Sequence, residues 1–111
     1  QKSFLFMGDG GSKEGDVEEA LLKMNVDIKS DVLKVGHHGS TYASSKEFIN
    51  KVYPEYAFIS CAKVTSTGHP HKKALDRISS CCKKILQSRN DGTILFITDG
   101  ININYQTHIG E

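Results

Sequence analysis

The chain has 111 residues, 14 of them basic and 13 acidic, and a formal net charge of +1. This length allows one domain with its own core and excludes two ordinary domains. The balanced charge gives no basic face that would by itself predict binding to nucleic acid or to a membrane surface. No apolar run approaches the roughly 20 residues that span a bilayer. Because Gln1 is neither a starting methionine nor part of a signal peptide, we expect the chain to be cut from a longer protein.

The three cysteines, Cys61, Cys81 and Cys82, do not form a disulfide pattern. Their number is odd, two of them are adjacent, and no C-x-x-C spacing occurs. We predict that they are small buried hydrophobic residues, with metal ligation as the alternative.

The first two thirds of the chain alternate predicted strands and helices. Strands are predicted at residues 4–7, 31–36 and 56–60, and the continuous apolar run at 4–7 predicts a strand that is covered on both faces. Helix starts are indicated by Asp16 and Ser44 as capping residues and by Pro70 in a first turn. The apolar stripes of these helices are Val17, Ala20, Leu21 and Met24, then Phe48, Ile49 and Val52, then Ala74, Leu75, Ile78 and Cys82.

The last part of the chain is predicted to consist of short strands separated by turns, without helices. Strands are predicted at 84–88, 93–98 and 101–106, separated by turns at 90–92 and 99–100. Asp-Gly occurs in both turns and is a strong signal for a β-hairpin. We therefore predict one α/β domain whose helices cover a mixed sheet.

Chemically active residues follow two of the apolar strands. Gly8-Asp9 comes after the first strand, and Gly36-His37-His38-Gly39-Ser40 comes after the second. A sheet holds such residues rigidly, and glycines let neighbouring backbone approach closely. Carboxylate and imidazole are common metal ligands, so the pattern predicts a metal-dependent hydrolase. Asp9 also suits a simple turn, which is the alternative if it is considered alone.

A wider set of residues resembles one family. The ordered set is residues 6–9 (FMGD), 31–40 (DVLKVGHHGS), 56–60 (YAFIS) and 68–71 (GHPH). This set resembles the C-terminal half of metallo-β-lactamase-fold hydrolases, and within them the ComEC-type competence nuclease domains and their stand-alone relatives.

The resemblance implies an αββα sandwich that binds one or two metal ions, usually zinc and sometimes manganese, which activate water. Asp9 matches the aspartate that bridges the two metals, and His37 matches a late histidine ligand. The main ligand cluster of these hydrolases, H-x-H-x-D-H, does not occur in the chain. We therefore expect a partner half that carries this cluster, and expect this chain to be a fragment of the site or a degenerate domain.

Three further residues are candidates for substrate binding. His69 precedes Pro70 near a predicted helix start, where it could contact a phosphate or carboxylate, or could be a loop residue held by packing. His38 is expected to point away from His37 and to hydrogen-bond nearby backbone. Ser40 is expected to brace its loop rather than act as a nucleophile. His71 is interpreted as a solvated residue in the first turn.

Together these observations predict a single partial domain over residues 1–111, half of a sandwich with helices on one face of a mixed sheet. The predicted function is hydrolysis of a phosphodiester such as DNA by a two-metal centre, with Asp9 and His69 as catalytic residues and Asp9 and His37 as metal ligands. The alternatives are an esterase or lactonase that uses the same centre, and a structural half-domain that lacks metal. The other sheet face is expected to be apolar and exposed unless the partner half covers it.

Overall fold

The structure, a computed structural model, describes residues 1–8, 10–11, 16–61 and 68–109. Its elements in chain order are β1 (Phe4–Phe6), α1 (Val17–Lys23), β2 (Val32–Lys34), a 3-10 turn (Gly36–Gly39), α2 (Lys46–Val52), β3 (Tyr56–Ile59), α3 (Lys72–Ser79), β4 (Lys84–Gln87), α4 (Ser88–Asp91), β5 (Thr93–Thr98) and β6 (Ile103–His108). The predicted α/β class is confirmed.

Strands β1 to β4 form one parallel sheet in sequential order, in which Leu5, Leu33, Ala57 and Ile85 share one register row. Strands β5 and β6 form a separate antiparallel hairpin. The prediction of a mixed sheet is therefore wrong. Although Asp91-Gly92 suggested a hairpin between β4 and β5, the chain makes the short helix α4 there, and β4 pairs with β3. This parallel pairing places Leu86 in a fully buried position.

One face of the sheet is covered by α1, α2 and α3, as predicted. Alternate strand residues such as Leu33, Ala57 and Ile59 point to this side, because successive side chains of a strand face opposite ways. They pack on helix residues that are themselves buried. We call this set the helix-side core; its other main members are Phe48, Ile49, Val52, Val35 and Ile78.

The opposite face is covered in part by the β5–β6 hairpin. Val32 and Tyr56 of the sheet are buried with Ile103 of β6, and half-buried aromatic residues surround them. We call this set the hairpin-side cluster; its aromatic members are Phe4, Tyr56, Phe58, Phe96 and Tyr105. The expectation of an open apolar face is thus only partly correct, because a segment of the same chain covers its middle. Phe6, on the outer strand β1, remains 67% exposed, so β1 is not covered on both faces.

Helix α1 turns a different side to the core than the sequence predicted. Val17, Ala20 and Met24 of the expected stripe are exposed, while Glu18 is buried and Leu21 packs against the helix-side core. The apolar stripe was misplaced because a glutamate is normally counted as a solvent-facing residue.

Helices α2 and α3 agree better with the prediction. Phe48, Ile49 and Val52 are buried, and the Ser45 hydroxyl, one residue after the predicted cap, accepts a hydrogen bond from the Phe48 amide. Helix α3 buries Ala74 and Ile78, but it begins at Lys72, so Pro70 lies outside its first turn. No helix in the described ranges is both long and apolar enough to cross a membrane.

All three cysteines are free thiols. Each packs against the helix-side core but is only half-buried, so the prediction of small buried hydrophobic residues is correct in part. Burial, with a smaller contribution from Cys81, raises the pKa of the Cys82 thiol to about 11. The thiolate form is therefore disfavoured, and Cys82 has little nucleophilic character.

Candidate functional site

The chain segments that follow β1 and β2 meet at one edge of the sheet. The amide of His37 donates a 2.8 Å hydrogen bond to the carbonyl of Gly8. A Cβ atom placed on Gly36 would lie 2.6 Å from the carbonyl oxygen of Gly10, so glycine is needed where the two segments touch. Asp9 itself lies outside the described residues, and the predicted contact between Asp9 and His37 stays a prediction.

The turn Gly36–Gly39, which we call the histidine turn, presents two exposed imidazole rings. His37 and His38 both have left-handed backbone angles, with φ of 51° and 50°. Such angles are uncommon outside glycine and persist where the surroundings hold them. The His38 ring contacts the carbonyl of Ser60 through Nδ1 at 2.7 Å, whereas the His37 ring faces His69. The two rings thus contact different segments, and His38 hydrogen-bonds backbone as expected.

His69 lies beside the histidine turn although 32 positions separate it from His37 in the sequence. The ring centroids of His37 and His69 are 5.6 Å apart in an edge-to-face arrangement. His69 is half-buried and is followed by a cis peptide bond to Pro70. Burial, and then the nearby His71, His37 and His38, lower the pKa of His69. Its neutral imidazole keeps one nitrogen as an N–H donor and the other as an acceptor or metal ligand.

His71 is not the solvated residue that the sequence suggested. It is half-buried, directly precedes α3, and its ring lies 4.6 Å from the ring of His69, centroid to centroid. Its Nδ1 accepts a 2.9 Å hydrogen bond from the amide of Thr41. The spacing of His69 and His71 could have indicated this pairing, since residues two apart in an extended segment point to the same side.

Ser40, at the end of the histidine turn, is buried at 1% exposure. Its hydroxyl accepts a 3.1 Å hydrogen bond from the Tyr42 amide, so it braces the loop as expected. The predicted substrate-binding role of Ser40 stays a prediction.

Two charged residues that sequence reasoning missed bind the backbone of the 40–45 loop, one through its amides and the other through its carbonyls. The buried Glu18 carboxylate accepts hydrogen bonds from the amides of Ser44 and Ser45. The Arg77 guanidinium donates three 2.9 Å hydrogen bonds to the carbonyls of Thr41, Ala43 and Ser44. Burial raises the pKa of Glu18, against the opposing effects of the two amides and Arg77. No sequence signal links these partners, which lie 26 to 36 positions apart.

The described residues include two imidazole rings that could serve as metal ligands. The rings of His37 and His69 lie side by side, with centroids 5.6 Å apart, and imidazole is a common ligand of zinc. Across the described ranges, however, no group of three or more His, Cys, Asp or Glu side chains is arranged to hold a metal ion. Any complete site therefore needs further ligands beyond those described.

Comparison with known proteins identifies three relatives. The chain is 38% identical over 94 residues to ComE operon protein 3 of Bacillus subtilis (strain 168), 36% over 95 residues to Competence protein ComA of Neisseria gonorrhoeae, and 32% over 78 residues to Recombination protein 2 of Haemophilus influenzae. These alignments cover 85%, 85% and 70% of this chain, but only 12%, 13% and 9% of the relatives.

No family model and no solved structure matches the chain. The three alignments confirm the part of the sequence resemblance that concerns competence proteins, and the metallo-β-lactamase fold stays a prediction. The chain is therefore homologous to a short segment of these competence-related proteins.

Proposed function

We propose that this chain is part of a metal-dependent hydrolase that cleaves a phosphodiester, and that the complete protein acts on DNA during its uptake. The observation that carries the proposal is the meeting, at one sheet edge, of the segments after β1 and β2 with His69. The homologues support DNA as the substrate, since one of them is named a competence protein.

Asp9 and His37 are the proposed metal ligands. Gly8 and Gly10, the chain neighbours of Asp9, both contact the backbone of the histidine turn, which supports a carboxylate near the His37 ring. A carboxylate has two oxygens and suits a position between two ions, whereas an imidazole nitrogen binds one. Bound zinc or manganese ions supply the activation of water and the neutralisation of charge on phosphorus.

His69 is proposed to contact the substrate. Its ring lies beside that of His37, so a phosphate held near His37 is within reach of the His69 N–H. A donor placed at developing negative charge stabilises the transition state more than the substrate. His38 lies in the same turn and Ser40 follows it. Both are proposed to shape the substrate side of the turn, His38 through its ring and Ser40 through the 40–45 loop.

The remaining ligands are proposed to come from a partner half with the H-x-H-x-D-H cluster, which would complete an αββα sandwich. The helices on one face of the sheet and the exposed Phe6 on outer strand β1 support this arrangement. Because this chain supplies few ligands, we expect it to bind divalent metal weakly and to show no hydrolase turnover by itself.

The test is hydrolysis by the complete protein after removal of metal with a chelator. Single-stranded and double-stranded DNA and a small phosphodiester are compared with a carboxylic ester and a lactone, without metal and with added zinc or manganese. We expect DNA and the small phosphodiester to be cleaved only with metal. Cleavage confined to the ester or lactone would support the esterase alternative, and metal-independent or absent turnover would reject the proposal.

A further inference from the structure

Besides the contact between the His37 and His69 rings, residues 69–71 contact Gly39 of the histidine turn and Thr41 beyond it, and His71 makes a hydrogen bond to each. The backbone amide of His71 donates a 2.9 Å hydrogen bond to the carbonyl of Gly39. The ring Nδ1 of His71 accepts a 2.9 Å hydrogen bond from the amide of Thr41. Between these contacts, Pro70 packs so closely on Gly39 that a Cβ atom there would lie 2.5 Å from Pro70 Cβ. His71 therefore forms hydrogen bonds with the backbone on both sides of Ser40, at Gly39 and at Thr41.

The contact with Thr41 defines the chemical state of the His71 ring. A backbone amide can only donate, so Nδ1 must be unprotonated to accept the bond. A neutral imidazole then carries its proton on Nε2. The ring held in this way packs edge-to-face on the His69 ring, with centroids 4.6 Å apart.

Helix α3 makes a second contact with the same residue of the loop. The carbonyl of Thr41 accepts a hydrogen bond from Arg77, while the amide of Thr41 donates to His71. Both backbone groups of Thr41 are thus bound by side chains at or next to one helix. Such double attachment limits the positions that the loop and the ring of His71 can take relative to each other.

We propose that His71 is a positioning residue that sets the distance and angle between His69 and His37. It is bonded through its backbone and its ring to the segment that follows His37, and its ring forms one wall of the space occupied by His69. Loss of the ring removes that wall and the Thr41 contact together. The inference rests on the proposed function only where catalysis is concerned.

The test compares three variants of this chain by NMR. His71→Ala removes the ring, whereas His71→Asn keeps an oxygen near the place of Nδ1 that can accept the Thr41 amide. Lys73→Ala, an exposed change in the same helix, is the matched control. The readouts are the ¹⁵N shift of His71 Nδ1, the exchange rate of the Thr41 amide, and the nuclear Overhauser effect between the His37 and His69 rings.

We expect Nδ1 of His71 to show the shift of an unprotonated nitrogen. His71→Ala should speed exchange of the Thr41 amide by about tenfold, as for loss of one hydrogen bond, and weaken the His37–His69 effect. His71→Asn should restore slow exchange, and Lys73→Ala should match the parent chain. A protonated Nδ1, or unchanged exchange and ring contact in a folded His71→Ala variant, would overturn the proposal.

Kinetics of the complete protein add a second readout. His71→Ala should lower kcat/KM by about tenfold to a hundredfold through misplacement of His69, and Lys73→Ala should leave it unchanged. An unaltered kcat/KM in His71→Ala would contradict the positioning role. If the parent protein lacks hydrolase activity, the proposed function fails, and the NMR results alone decide the role of His71.

Discussion

The two faces of the parallel sheet are completed in different ways. The helix-side core is aliphatic apart from Phe48, and its sheet and helix members are buried. The hairpin-side cluster is aromatic, with ring centroids 5.4 Å apart for Phe58 and Phe96 and 5.5 Å for Tyr56 and Tyr105, yet most of its rings are only half-buried. The sheet edge that carries the candidate site is therefore supported chiefly from the helix side.

The hairpin turn after β5 and the histidine turn are also stabilised in different ways. The hairpin turn after β5 is held by local contacts, because the Asp99 carboxylate accepts hydrogen bonds from the amides of Ile101 and Asn102. These two amides lower the pKa of Asp99. The histidine turn has one local hydrogen bond, from the Ser40 amide to the His37 carbonyl, and its other contacts are with Gly8, Ser60 and His71, all distant in sequence. A turn stabilised by local contacts can form early and alone, whereas the histidine turn needs the assembled domain.

The largest expected difference is between the two apolar clusters. Phe48→Ala, at a fully buried position of the helix-side core, should lower the free energy of unfolding by about 3 to 5 kcal/mol, the usual cost of an aromatic cavity. Phe96→Ala, at a half-buried position of the hairpin-side cluster, should cost about 1 to 2 kcal/mol. Urea denaturation of both variants measures the difference. Equal costs would show that the hairpin-side cluster stabilises the domain as strongly as the helix-side core.

A second pair of variants compares the two turns. Gly36→Ala places a Cβ atom 2.6 Å from the Gly10 carbonyl oxygen, and should cost about 1 to 3 kcal/mol through overpacking. Gly100→Ala, in the hairpin turn, meets no atom within 4 Å but has a φ of +90°, so it should cost about 1 kcal/mol from backbone strain alone. Thermal unfolding gives the two values. A cost at Gly36 smaller than that at Gly100 would show that the segments after β1 and β2 are not held tightly together.

The smallest expected effect is a pH dependence from Glu18. Because burial raises its pKa in the folded protein above the ordinary value of 4.5, the folded state takes up a proton before the unfolded state as the pH falls. The stability of the parent chain relative to Glu18→Gln should therefore increase as the pH falls from neutral towards 4.5. Glu47→Gln, at an exposed position of α2, is the control. A relative stability that decreases over this range would show that the Ser44 and Ser45 amides, with Arg77, outweigh burial.

Much of the fold could be predicted from local patterns. Apolar runs that end in glycine predicted β1 and β2. The spacing of Phe48, Ile49 and Val52 predicted the buried side of α2, and Asp99-Gly100 predicted the β5–β6 hairpin. Each of these signals lies within a few neighbouring residues, where periodicity and turn chemistry act.

The features that were missed depend on partners far away in the sequence. Glu18 was left out of the predicted buried side of α1 because nothing nearby in the sequence shows that it binds the amides of the 40–45 loop. His71 was assigned to solvent because its partner, the amide of Thr41, is a backbone group that every sequence contains. The sequence also could not show that β5 and β6 form a sheet of their own. Asp91-Gly92 is equally compatible with a hairpin between β4 and β5 and with the end of a short helix.

The most direct test of the proposed site compares Asp9→Ala and His69→Ala in the complete protein, by metal content and by turnover of a phosphodiester. If Asp9 bridges the metal ions, its loss should abolish turnover and deplete the metal. If His69 contacts substrate, its loss should retain the metal and lower turnover by about 10² to 10³, the usual effect of removing one electrostatic donor. Metal depletion in His69→Ala as complete as in Asp9→Ala would make His69 a metal ligand, and full metal content with normal turnover in Asp9→Ala would contradict the proposed site itself.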